Sequence, residues 1–207
     1  MSTLYLIRHG EITARSEQHR FIGQLDLPLS EHGRQQMRGF ACHPTLQTVE
    51  KVLTSPLIRC RESAAILTAH LGCSAAEVVP DLAEINLGEW EGLTVAEVKD
   101  RFPGEYAARG NDLAGFRPVG GESFADVLRR SWPVFERAAG CGVDRVALVS
   151  HAGVNRVLLC RILGMPLNNL FRLQQDYACC NIIHCDGARY RLECLNLRPE
   201  CCSSHTG

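Results

Sequence analysis

The 207 residues contain no apolar run approaching the ~20 that a membrane-spanning helix requires. Neither charge sign dominates: 22 Lys and Arg face 23 Asp and Glu, a formal net charge of -1. No global basic field exists to draw nucleic acid or an anionic membrane, so an anion site has to be built locally. Met1-Ser2-Thr3 runs directly into Leu4-Tyr5-Leu6-Ile7 and then Arg8-His9, with no basic n-region and no room for a signal h-region. A cytoplasmic protein is expected. Eleven cysteines are present, yet no Cys-x-x-Cys spacing. The odd count without an export signal argues for reduced thiols over a disulfide framework, and the adjacent pairs Cys179-Cys180 and Cys201-Cys202 do not suit a zinc site, His205 notwithstanding. Neither a metal nor another cofactor is expected. Gly120-Gly121 lacks both the dinucleotide and the P-loop spacing and reads as a turn before a helix.

With 45% hydrophobic and 22% charged residues, the length suits one α/β domain, expected over 1–198, with 199–207 as a disordered tail. A short apolar strand at Leu4–Ile7 ends at Arg8-His9-Gly10, and Ser30 offers the N-cap of a helix running to about Phe40. Lys51–Thr54 reads as a second strand, broken by Ser55-Pro56 before a helix over Leu57–Leu71. Val78-Val79 and Leu82–Ile85 read as extended. Thr94 starts a short helix that Pro103-Gly104 stops, and the stretch up to Gly121 reads as a surface insertion. Apolar residues at helical spacing span Glu122–Ala139, with Pro133 expected to kink or end that helix early. A strand at Arg145–Ser150 leads through His151-Ala152-Gly153 into a helix over Val154–Leu163, and Asp186-Gly187 marks a hairpin between Asn181–Cys185 and Tyr190–Leu195. Three strands that each meet a polar loop before a helix imply a three-layer α/β/α fold with a mostly parallel central sheet. Sites in such sheets lie beyond the carboxyl ends of the strands, where Arg8, His9, Arg59 and His151 fall.

Leu6-Ile7-Arg8-His9-Gly10-Glu11 resembles the signature of the histidine phosphatase superfamily, which includes the phosphoglycerate mutases. Ser55-Pro56-Leu57 with Arg59, Glu84 ahead of Gly88-Glu89-Trp90-Glu91-Gly92, Gly120-Gly121-Glu122-Ser123 and Ser150-His151-Ala152-Gly153 resemble further motifs of that family in their order, from about Leu4 to Leu197. An Arg-His-Gly triplet alone is weak; five motifs in order are not. The resemblance implies a phosphoglycerate mutase-like fold, His9 as nucleophile, Glu84 as proton donor, and Arg8, Arg59 and His151 as phosphate ligands, with Gln24 a further contact. Glu89 and Glu91 lie close enough to Glu84 that spacing alone does not choose among the three. Glu11 is expected to support the loop.

The residue types suit metal-independent phosphoryl transfer. Two guanidiniums bind the oxygens of a near-metaphosphate with charge-assisted hydrogen bonds. A neutral imidazole is a competent nucleophile near neutral pH, provided an acceptor fixes its tautomer, and the sequence does not name that acceptor. Glu84 can protonate the leaving alkoxide if a nearby phosphate dianion favours its acid form, then act as base toward water, and a protonated His151 can donate to the transferring oxygens. Ile12 and Arg15 depart from the family pattern of Thr or Ser followed by Asn, and Arg15 is a candidate for a second anionic group. Only Asn111–Val119 reads as lid material, which favours hydrolysis over mutase chemistry. The Gly-Glu-Trp-Glu-Gly and Phe171-Arg172-Leu173-Gln174-Gln175 stretches resemble the α-ribazole-5′-phosphate phosphatases of cobalamin biosynthesis. The expected partner is a small phosphorylated metabolite, bound by a monomer or homodimer. A phosphoglycerate mutase, a catalytically quiet phospho-ligand binding module and a cysteine-based metal or redox protein are the alternatives.

Overall fold

A computed structural model describes residues 1–13 and 20–198. Arg15, His19 and everything from Pro199 onward, with Cys201, Cys202 and His205, therefore lie outside the described residues. Six strands form one sheet: β1 (Ser2–Arg8), β2 (Lys51–Thr54), β3 (Glu77–Val78), β4 (Arg145–Ser150), β5 (Cys180–Asp186) and β6 (Arg189–Leu197), in the order β3-β2-β4-β1-β5-β6. The pairs β1/β4, β2/β4 and β2/β3 are parallel, whereas β5 and β6 add an antiparallel flank. The expected fold class is observed.

Parallel strands buried on both faces need continuous apolar runs. Leu4, Leu6 and Leu148 point into one core with helices α5 (Phe124–Ala139) and α6 (Ala152–Ile162), while Tyr5, Ile7 and Val149 face the other with α1 (Glu31–Ala41) and α2 (Ile58–Leu71). The expected N-cap is in place: Ser30 Oγ accepts from Gly33 N at 3.0 Å. A capping box of Thr94 and Glu97 opens α3 (Val95–Arg101).

Three local expectations are corrected. Leu82–Ile85 is not extended, because β3 holds only Glu77–Val78 and Pro80–Leu82 turns as a 3₁₀ segment. Pro103 does not merely stop α3; it begins α4 (Pro103–Asn111), at the one helical position where a missing N–H costs nothing. Pro133 does not end α5, whose 16 residues run on through Ala139. Burial of Phe124, Val127, Val134, Phe135 and Ala138 on one face of α5 outweighs the ~3 kcal/mol that an interior proline costs. The hairpin turn is as read, with Gly187 at φ +57 between β5 and β6.

Candidate active site

Parallel register brings the ends of three strands together. Arg8 pairs with Ser150 and Thr54 with Val149, so the segments after β1, β2 and β4 leave one edge of the sheet side by side. His9 is clamped there by its own backbone: its N–H donates to Ser150 O at 3.0 Å, and its carbonyl accepts from Ala178 N at 3.0 Å. Gly10 follows because a Cβ at that position would lie 2.4 Å from the Gly33 carbonyl oxygen, so only glycine lets this loop meet α1.

The side chain of His9 is buried, and Nδ1 lies 2.7 Å from the Gly10 carbonyl oxygen. A carbonyl can only accept, so Nδ1 carries the proton and Nε2 keeps its lone pair. Burial pushes the imidazole well below its ordinary titration range, and the Arg8 and Arg59 guanidiniums push it further. The ring is therefore neutral at physiological pH.

Arg59 is 2% exposed on the first turn of α2. It donates through Nη1 to Leu25 O at 2.7 Å, through Nη2 to Gly23 O at 2.8 Å and through Nε to His151 Nδ1 at 3.3 Å. Arg8 donates through Nη1 to Gln175 O at 2.7 Å and stacks 3.8 Å over the Tyr177 ring. Among the described residues neither guanidinium is ion-paired with a carboxylate. An uncompensated cation in a partly buried pocket favours an anionic ligand.

Glu84 faces these cations. Its Oε1 accepts from Ile85 N at 2.9 Å and its Oε2 from Gly153 N at 3.1 Å, at the N-terminus of α6. A Cβ on Gly153 would fall 2.3 Å from Glu84 Oε1, so the glycine is what allows this approach. The three nearby acids are thereby separated. Glu84 lines the cavity, Glu91 accepts the Gln24 and Leu87 backbone N–H groups, and Glu89 is exposed. Glu11 accepts from Ser30 Oγ, the N-cap of α1.

Two expected ligands sit differently from the sequence reading. Gln24 Nε2 donates to the Glu84 backbone carbonyl at 2.9 Å, and its side chain is not part of the cavity wall. His151 is fully buried beside His9, with ring centroids 5.2 Å apart. Because arginine can only donate, Nδ1 of His151 is the acceptor, and its Nε2–H is left for Ser55 Oγ at 2.7 Å. Burial, Arg59 and His9 hold this imidazole well below its ordinary range, so the protonated donor expected at His151 is corrected to a neutral ring.

The resulting cavity is about 330 Å³, room for a phosphate and a small leaving group. Arg8, His9, Arg59 and Glu84 line its floor; Phe171, which opens one of the resemblance stretches, lines it as well, as do Arg109, Arg156 and Tyr177, which sequence reading did not single out. Arg156, which with Asn155 interrupts the apolar opening of α6 five residues after His151, was an available signal; nothing local marked Arg109 or Tyr177.

A model of the histidine phosphatase superfamily (branch 1) matches residues 4–198. The chain belongs to that superfamily. It is 36% identical over 189 residues to a bifunctional protein of Mycobacterium tuberculosis, a match covering 89% of this chain and 51% of that one. The chain thus spans about half the length of the first curated relatives it matches. It is 28% identical to an adenosylcobalamin/alpha-ribazole phosphatase of Escherichia coli, over 94% of this chain and 96% of that one. The solved structure of a mycobacterial glucosyl-3-phosphoglycerate phosphatase in complex with VO3 superimposes with a TM-score of 0.82 at 32% identity, over 95% of this chain and 100% of that one.

Proposed function

We propose that the chain is a metal-independent phosphomonoester hydrolase that works through a phosphohistidine on His9. The observation that carries this is the fixed tautomer: Nδ1–H is committed to the Gly10 carbonyl, which leaves Nε2 as the one ring nitrogen with a lone pair, on the cavity floor between two guanidiniums. In the first step the Nε2 lone pair attacks phosphorus and the P–O bond to the leaving group breaks. Protonated Glu84 gives its proton to the departing alkoxide oxygen. In the second step Glu84, now a carboxylate, takes a proton from water as the water oxygen attacks phosphorus. The P–N bond breaks and inorganic phosphate leaves. Each cycle consumes one ester and one water and restores Glu84 to its acid form.

Arg8 and Arg59 stabilise charge on the transferring oxygens, where fixed donors act without reorganisation. In this reading His151 works as a neutral group that orients Arg59 through Nδ1, and Gln24 holds the Glu84 backbone. The substrate is a small phosphorylated metabolite. α-Ribazole-5′-phosphate is one candidate, supported by the 28% identical relative, and a phosphoglycerate derivative is another, supported by the mycobacterial structure. We place the reaction in the cytoplasm, since nine described cysteines are unpaired, as in reducing compartments.

The test is phosphate release, without added metal, from p-nitrophenyl phosphate, 3-phosphoglycerate and α-ribazole-5′-phosphate, comparing the native chain with His9→Ala. We expect turnover that vanishes in the variant, and a phosphorylated His9 peptide in base-quenched digests of the native chain. Turnover retained by the variant would overturn the assignment, and binding without turnover would favour the quiet binding module.

A further inference from the structure

Among the described residues five arginines line the cavity, Arg8, Arg20, Arg59, Arg109 and Arg156, against the single carboxylate of Glu84. Arg20 is ion-paired with Glu97 at 3.4 Å, and Arg8 and Arg59 are taken up by the reacting phosphate. Arg109 and Arg156 remain. Neither is ion-paired with a carboxylate among the described residues. Both are nonetheless held in place. Their guanidiniums lie 5.7 and 5.3 Å from the centroid of the Phe171 ring, Arg109 also lies 5.9 Å from that of Phe21, and Arg156 Nε donates to Leu173 O at 2.9 Å. Burial pushes both guanidiniums below the ordinary arginine range, and the Glu84 carboxylate offsets this only in part at Arg156.

A phosphate dianion neutralises about two positive charges, and Arg8 and Arg59 already supply two. A neutral leaving group would leave the charge of the outer wall unbalanced, whereas a second anion would find two guanidinium forks set against an aromatic face. We propose that Arg109 and Arg156 form a second anion subsite, and that the preferred substrate is a phosphomonoester carrying a carboxylate or a second phosphate on its leaving group. This rests on the reading of the cavity as a phosphomonoesterase site. Phe171 serves as the partition that keeps the two guanidiniums extended toward the cavity.

Matched pairs of esters test it. 3-Phosphoglycerate and glycerol 1-phosphate differ only in a carboxylate against a hydroxymethyl group, and fructose 1,6-bisphosphate and fructose 6-phosphate only in the second phosphate. We expect kcat/KM to be about tenfold to a hundredfold higher for the doubly anionic member of at least one pair, which also identifies the anion. That ratio should fall toward one in Arg109→Gln and in Arg156→Gln, mainly through KM. Calorimetric titration of the same compounds into His9→Ala reads the subsite without chemistry. Turnover with equal kcat/KM across both pairs, or a preference unchanged in both variants, would overturn the subsite and leave the phosphatase reading standing. Selective binding of the doubly anionic esters without turnover in the native chain would do the reverse. Absence of both selective binding and turnover would remove the two together.

Discussion

The floor and the outer wall of the cavity are built by different means. On the floor, His9 and Arg59, with His151 packed behind them, are buried just beyond core strands and held by hydrogen bonds to named partners that leave His9 Nε2 open. The outer wall draws Arg109 from α4, a helix without a buried residue, and Phe171 from a segment where that ring is 52% exposed. Its contacts are aromatic and cation-π, anchored by the buried Trp90, whose Nε1–H donates to Glu105 of α4 at 3.1 Å. The contrast teaches that the groups of the proposed chemical step are preorganised by the sheet, where a displaced atom costs core packing. In the proposed reading, choice of leaving group falls to Arg109 and Phe171, on elements that can vary without disturbing that core, together with Arg156 from the core-packed α6.

The largest effect on this contrast should come from Glu84→Gln. It should slow hydrolysis of alkyl phosphates about 10³-fold, yet slow p-nitrophenyl phosphate far less, since nitrophenolate leaves without a proton. Equal losses on both esters, measured as single-turnover rates, would show that Glu84 is not the acid. Next is the pH dependence of stability. His9 and His151 titrate well below 6.5 when folded, so the unfolded chain takes up more protons as pH falls through that value. Their contribution is fully present above about 6.5 and is lost below it, at up to ~1.4 kcal/mol per pH unit for each ring. Urea melts at stepped pH should show this steep acid limb, and His9→Asn should make it shallower by about half.

A smaller effect is expected from Gly153→Ala, whose new methyl group meets the Glu84 carboxylate. We expect about 1–3 kcal/mol of destabilisation together with a reduced kcat, read by urea melts and steady-state kinetics. The smallest belongs to the outer wall: Phe171→Ala should shift stability by less than ~1 kcal/mol while raising KM for the preferred ester a few-fold. A loss of kcat in Phe171→Ala as large as that of Glu84→Gln would erase the proposed division between floor and wall.

Much of the floor was legible in the sequence because its parts are local. A strand that ends at Arg8-His9-Gly10, a helix that starts beside Arg59 and a strand that ends at His151 each declare themselves within a few residues. Spacing could not choose among Glu84, Glu89 and Glu91; the approach of Gly153 N, 69 residues away, does so. The family resemblance implied Gln24 as a ligand, but its side-chain partner is the Glu84 carbonyl, a contact that local pattern does not contain.

By itself, the sequence determined the α/β order of elements, the superfamily and the residue types of the candidate site, since periodicity, caps and motifs act over short separations. Only the tertiary structure decided protonation and the makeup of the outer wall. The Gly10 carbonyl fixes the His9 tautomer, Arg59 and Ser55 fix that of His151 while burial keeps it neutral, and Arg109 meets Phe171 across 62 positions of chain. Proton positions and uncompensated charge depend on which atoms come within a few ångströms, and for residues distant in the chain packing alone sets that distance.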